Sequence, residues 1–193
     1  MPEIAIIVGS TRPGRRAEHI AKWVHSIASK RSDANFELVD IGDFKLPLLD
    51  EPTPAMMGTY SQPHTRNWAA KIDSFDGFVF VTPEYNHGIS ASLKNAIDFL
   101  YKEWNNKAAG FVGYGAGDGT RGVEQLRLVM AELQVATVRA QVGLSLYVDF
   151  ENFRDFRPTS SREGRVTAML DQLVAWSTAL RTVRLKQRER AVA

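Results

Sequence analysis

The chain has 193 residues, 44% of them hydrophobic and 24% charged, with 24 Lys and Arg against 22 Asp and Glu. This suits one domain, residues 1–193, with a large core, and the near balance of charge gives no case for nucleic-acid binding. The absence of cysteine excludes disulfides, thiolate metal ligands and redox thiols, so any electron chemistry has to be borrowed from a cofactor.

Ile4 to Val8 is a short run rich in β-branched residues and predicts a fully buried strand. It is too short for a membrane span and has no basic residues before it, so a cytoplasmic protein without membrane association is expected. A helix follows, with Ile20, Trp23, Val24 and Ile27 spaced i, i+3, i+4, i+7, and then a strand from Phe36 to Ile41. Residues 42–63 hold Pro47, Pro52, Pro54 and Pro63 and no periodicity; an irregular stretch this long is often functional. A helix around Thr65 to Ser74 leads into a strand from Gly77 to Val81. Beyond the loop Thr82 to Gly88, a helix from Ser90 to Leu100 buries Leu93, Ala96, Ile97 and Leu100. Ala108 to Gly113 predicts the fourth strand, and Val123, Leu126, Met130 and Leu133 line one face of the helix after it. Val135 to Val138, resuming near Val142, predicts the fifth strand. Ser160 and Glu163 have capping-box spacing, and Val166, Met169, Leu170, Leu173 and Leu180 share a face of the last helix. The basic stretch from Arg181 to Arg190 is expected to be a solvated helix end whose charge suits the dipole.

Strands alternating with amphipathic helices predict an α/β fold, a five-stranded parallel sheet with helices on both faces and strand order 2-1-3-4-5. In that order ligands bind outside the carboxyl ends of strands 1 and 3. The loops leaving those strands are also the most unusual in composition. The first, Gly9 to Arg16, has the parts of an anion cradle. Unpaired amides and the helix dipole favour a phosphate there, the hydroxyls of Ser10 and Thr11 add donors, and Pro13-Gly14 supports a tight turn. Arg12, Arg15 and Arg16 sit where the dipole disfavours cations, so an anion should compensate them. No Gly-Lys-Ser/Thr ending follows, which excludes nucleoside-triphosphate machinery and favours a monophosphate without a metal.

The second loop, Thr82 to Gly88, suits a flat heterocycle. Tyr85 offers an aromatic face, backbone groups from Glu84 through Asn86 and His87 to Gly88 can bond a polar ring edge, and Pro83 stiffens the strand exit. The third, Tyr114 to Gly122, contains a G-x-G-x-x-G match that lies in a late β–α unit with no acidic residue about 20 positions on, so it is not a dinucleotide fingerprint. Its glycines, Gly115 among them, are expected to let the backbone pass the ring side of a ligand. His19, His25, His64 and His87 lack metal-ligand spacing, and Ser10 is not in a nucleophile elbow. No catalytic side chain is expected; the cofactor would carry the chemistry.

Gly-Ser-Thr-Arg-Pro-Gly-Arg-Arg at 9–16, Thr-Pro-Glu-Tyr-Asn-His-Gly at 82–88, Ser-Leu-Lys-Asn-Ala-Ile-Asp at 92–98 and the glycine-rich loop at 113–122 resemble the NADPH-dependent FMN reductase family of flavodoxin-like proteins. The likeness covers roughly residues 3–140. It implies a flavodoxin-like three-layer sandwich binding FMN, with phosphate near Ser10, Arg12 and either Arg15 or Arg16, and isoalloxazine along Pro83 to Gly88. It further implies NADPH or NADH as donor, a small-molecule acceptor such as a quinone, flavin, azo compound or metal oxyanion, and homodimers or homotetramers. The 42–63 segment, with Met56, Met57 and Tyr60, is expected to shape the acceptor side or the subunit contact. A flavodoxin-type electron carrier is the alternative, against which the basic isoelectric point of about 8.9 counts. A flavin-binding regulatory protein without turnover is the third reading.

Overall fold

The structure is a computed structural model and describes residues 1–192; residue 193 lies outside the described residues. Its strands are β1 (Glu3–Val8), β2 (Asn35–Asp40), β3 (Gly77–Pro83), β4 (Ala108–Gly115) and β5 (Ala136–Ser145). They form a parallel sheet of order β2-β1-β3-β4-β5. The helices are α1 (Ala17–Ala28), α2 (Pro63–Asp73), α3 (Ala91–Asp98), α4 (Thr120–Glu132) and α5 (Ser160–Val192). The expected order and architecture are observed.

Period-two alternation in the strands divides the core into two layers. Ile4, Ile6 and Val8 of β1 join α1 and α5, while Ala5 and Ile7 join α2, α3 and α4. The helix stripes read from sequence are the buried faces: Ile20 and Val24, Leu93 to Leu100, Val123 to Met130, and Val166 to Leu173. Among the described residues no helix is long and apolar enough to cross a membrane.

Four local features depart from the sequence expectations. β5 is one strand that carries an irregularity: Ala109 pairs Thr137 and Phe111 pairs Gln141, so β5 has two residues more than β4 between those pairs. The apparent break after Val138 is this bulge. A second sheet, with β6 (Phe150–Glu151) antiparallel to β7 (Asp155–Phe156), fills the connection to α5. α5 begins at Ser160 itself, and no hydrogen bond joins Ser160 to Glu163, so the capping box does not form. The basic stretch is not simply solvated. Arg184 pairs with Asp76 and donates to the Asn106 carbonyl at 2.6 Å, while Arg181 donates to the Met1 carbonyl at 2.9 Å. The side chains of Arg188 and Arg190 lie outside the described residues.

The 42–63 segment contains one short 3-10 helix, Ala55–Met57, and another, Ile41–Phe44, overlaps its start. Its middle is tied to its C-terminal end by Glu51, which accepts from the Ser61 amide and hydroxyl at 2.8 Å and the Gln62 amide at 2.9 Å. Burial alone would raise the Glu51 pKa, but the neighbouring Thr65 hydroxyl and the bonds from Ser61 and Gln62 favour the charged form, outweigh burial and hold the pKa at about 2. A carboxylate depressed in the folded state contributes stability above its unfolded pKa and loses it as pH falls toward the folded one. The stability difference between the unaltered chain and Glu51→Gln, measured by urea unfolding, should therefore be constant near neutrality and shrink below about pH 4.5.

Candidate functional site

β1 and β3 are adjacent, so the first and second loops leave the sheet side by side. The Gly9 amide donates to the Val81 carbonyl at 2.8 Å, and the Ser90 hydroxyl donates to the Gly9 carbonyl at 2.6 Å. The same Ser90 oxygen caps α3 by accepting from the Leu93 amide. A single hydroxyl thus joins the floor of the first loop to the helix after the second.

In the first loop the amides of Thr11, Gly14 and Arg16 have no acceptor among the described residues, the Ala17 amide faces the Tyr114 hydroxyl oxygen, and α1 starts without a side-chain cap. Ser10 is buried, with its oxygen 3.4 Å from the Arg12 amide; Thr11 is exposed. The three arginines differ. Arg15 pairs with Asp40 at the end of β2 and donates to the Ser10 carbonyl at 2.9 Å, so it braces the loop. Arg16 donates to the Gly14 carbonyl at 2.6 Å, and Arg12 lies 5.9 Å from the centre of the Tyr85 ring. Neither has a carboxylate partner among the described residues. Two uncompensated guanidiniums beside unpaired amides at a helix N-terminus make an electropositive site that favours an anion.

The second loop is a tight hairpin. Tyr85 and Gly88 exchange backbone bonds of 2.9 and 3.0 Å, and Asn86 and His87 have φ of 48° and 74°, as in a type I′ turn. The structure narrows the backbone groups available to a ring. The Glu84 amide bonds the Tyr114 carbonyl at 2.9 Å and the His87 carbonyl accepts from Gln125 at 2.7 Å, whereas the amides of Asn86 and His87 have no acceptor among the described residues. Pro83 is buried at the end of β3.

The Glu84 side chain serves the scaffold. It is 4% exposed, pairs with Arg121, and accepts from the Arg121 amide at 3.0 Å and the Gly122 amide at 3.4 Å. It therefore caps α4 from across the cleft and neutralises that helix's positive end. Glu84→Ala should destabilise the protein by about 1–2 kcal/mol through the lost cap. Glu84→Gln should lose less, because an amide oxygen still accepts from both backbone groups; thermal unfolding of the two variants checks this.

The glycines of the third loop do two jobs. Gly119 has φ of 69°, and a Cβ there would lie 2.4 Å from the Tyr114 amide nitrogen, so the loop folds on itself only with glycine. Gly122 lets the second loop pass: a Cβ on it would sit 3.2 Å from the Gly88 carbonyl oxygen. Gly115 is buried against Glu84.

Sequence reasoning missed Tyr114. Its ring is buried at the end of β4, the Ala17 amide faces its hydroxyl oxygen, and the buried hydroxyl proton has no acceptor among the described residues. Burial, with Tyr85 nearby, pushes its pKa above the usual phenol value, so it remains a neutral donor. Arg12, Arg16, Tyr85, Tyr114, Gly115 and Phe153 line one cavity of about 230 Å³. An adjoining cavity of about 420 Å³ shares Arg12 and Arg16 with it and reaches Thr11 and His19. The larger space of about 640 Å³ lies against Arg15, Lys45 and Asn95 and contains none of the second-loop residues. A buried phenol with a proton to donate, free amides and two arginines without carboxylates fit a phosphate ester bearing a polar chain, as FMN does. Among the described residues no cluster of three or more His, Asp or Glu could hold a metal.

The model of the family described as NADPH-dependent FMN reductase matches residues 2–149. An NAD(P)H-dependent FMN reductase of Schizosaccharomyces pombe is 42% identical over 147 residues, covering 75% of this chain and 74% of that protein. A quinone reductase of Pseudomonas putida is 28% identical over 195 residues, covering 93% and 97%. Among solved structures, the flavoenzyme NAD(P)H:(acceptor) oxidoreductase FerB of Paracoccus denitrificans superposes with a TM-score of 0.70 at 19% identity, covering 93% of this chain and 98% of that one.

Proposed function

The chain belongs to the NADPH-dependent FMN reductase family, and from that membership we propose that the cavity between its first and second loops is the flavin site. The protein is an oxidoreductase that uses NAD(P)H and FMN to reduce quinone or flavin acceptors. FMN, when bound, supplies the hydride transfer. The protein supplies position and electrostatics. Arg12 and Arg16, with Ser10, Thr11 and the amides of Gly14 and Arg16, hold the phosphate; Arg15 holds the loop through Asp40. Tyr114 donates to the polar chain that leaves the phosphate. The amides of Asn86 and His87, with Pro83, Tyr85, Gly88 and Gly115, receive the ring, while Glu84 fixes the spacing of the second and third loops. No side chain is assigned a proton-transfer role.

The observation that carries this reading is the buried Tyr114 hydroxyl, whose proton has no acceptor among the described residues, set beside two arginines without carboxylates. The test is spectroscopic. The purified protein should carry or take up FMN and lose the oxidised flavin absorbance when NADPH is added without oxygen; a quinone should restore it. Flavin that binds and does not bleach would overturn the reductase reading in favour of a carrier.

The same reading takes the chain as a single cytoplasmic domain that forms a homodimer or homotetramer. Leu48, Leu49, Met56 and Met57, all exposed on the 42–63 segment, support it as the subunit contact. The full-length likeness to a quinone reductase supports a quinone among the acceptors.

A further inference from the structure

The β6–β7 hairpin lies beyond the residues that the family model matches. Its turn is built against local preference. Asn152 and Phe153 have φ of 52° and 56°, and the Arg154 amide closes the turn on the Glu151 carbonyl at 2.9 Å. Asparagine enters the left-handed region readily, but the second central position of such a turn normally holds glycine, and a bulky aromatic there is an outlier. The ring gains little from the core in return: Phe153 is 60% exposed, and its aromatic contact among the described residues is Tyr147, itself 68% exposed, edge-on at 5.6 Å.

The hairpin is nevertheless held firmly. Asp149, fully buried just before it, accepts from Arg162 at 3.0 and 2.9 Å and from the Ser145 amide at 2.8 Å. Phe156 packs edge-on against Trp23 of α1, and Phe150 lies beside Tyr114. The tip so anchored lines the 230 Å³ cavity together with Arg12, Arg16 and Tyr85. A strained, exposed aromatic on a rigid support, facing a ligand cavity, points to a use for the ring that folding alone does not supply.

We propose that Phe153 is a binding residue of the flavin site, an apolar wall that covers the bound flavin and slows its release. This rests on the flavin reading of the cavity. The ring acts on the carbon framework of the ligand, so its contribution is the same for FMN and for riboflavin, whereas the arginines act only on the phosphate.

The decisive variant is Phe153→Gly, because glycine suits the left-handed turn and removes only the ring. The full-length chain is stripped of flavin, and its fluorescence titration with FMN and with riboflavin is paired with thermal unfolding of the flavin-free form. The expected result is a flavin-free Tm equal to or above that of the unaltered chain, with about tenfold weaker binding of both flavins, expressed as faster release. Phe153→Tyr should restore affinity. Unchanged affinity for both flavins in Phe153→Gly overturns the proposal. So does a loss of affinity accompanied by a lower Tm, which would mark a folding role. If the unaltered chain binds neither flavin, the underlying reading of the cavity falls as well.

Discussion

Arg12→Ala should weaken FMN binding by about 1.5–3 kcal/mol, roughly 10- to 100-fold, and leave riboflavin binding almost unchanged. The guanidinium of Arg12 stands over Tyr85 with no carboxylate partner, so its removal breaks no ion pair in the scaffold. The loss would be electrostatic and would diminish as salt is raised, since exposed charges are screened over about 10 Å at 0.1 M. Arg16→Ala should behave in the same way. Arg15→Ala should not: it breaks the contact with Asp40 and the bond to the Ser10 carbonyl, so its effect should appear first as a lower thermal midpoint. Isothermal titration of all three variants with FMN and riboflavin separates the roles. Equal losses for both flavins in Arg12→Ala would remove Arg12 from the phosphate site.

Asp149→Asn carries the largest expected effect on stability, a loss of about 3–5 kcal/mol. Asp149 is fully buried and Arg162 nearly so, and the two make two hydrogen bonds. Neutralising one partner leaves the other charge in a poorly solvated position, which is what makes breaking such a pair expensive. For a chain of this size the midpoint should fall by roughly 10 °C or more. Asp149→Asn combined with Arg162→Met should recover part of the loss, because the isolated charge is gone. Urea unfolding of the two single variants and the double variant gives the coupling directly. A loss below 1 kcal/mol in Asp149→Asn would show that water reaches the pair.

The sheet and its order were legible because buried strands and helix stripes obey strong periodicities. Ile4 to Val8, Leu93 to Leu100 and Val166 to Leu173 each carry their burial pattern in local spacing. The two ligand loops were legible because glycine, proline and arginine cluster there for backbone and charge reasons that act locally. What escaped depends on partners far along the chain. Tyr114 looks like the ordinary start of the third loop until the neighbourhood of its hydroxyl is known, and Glu84 looks like a loop carboxylate until α4 folds up to it 37 residues later. Asp149 and the hairpin it supports carry no alternation long enough to predict two-residue strands. The one available signal there was Tyr147, Phe150, Phe153 and Phe156, aromatics too regularly spaced for an ordinary loop.

The bulge in β5 has a consequence for how the protein avoids aggregation. β5 is an edge of the sheet, and a straight edge strand offers a row of free backbone groups to any other extended chain. Here the extra residues break that row, and side chains occupy what it exposes. The Gln172 amide oxygen accepts from the Ala140 amide at 2.9 Å, and Arg127 donates to the Val138 carbonyl at 2.8 Å and to Gln141 at 3.1 Å. A strand arriving from a second molecule would meet a ladder interrupted at residues 138–140, where side chains already hold two backbone groups, and pairing along this margin would be broken there.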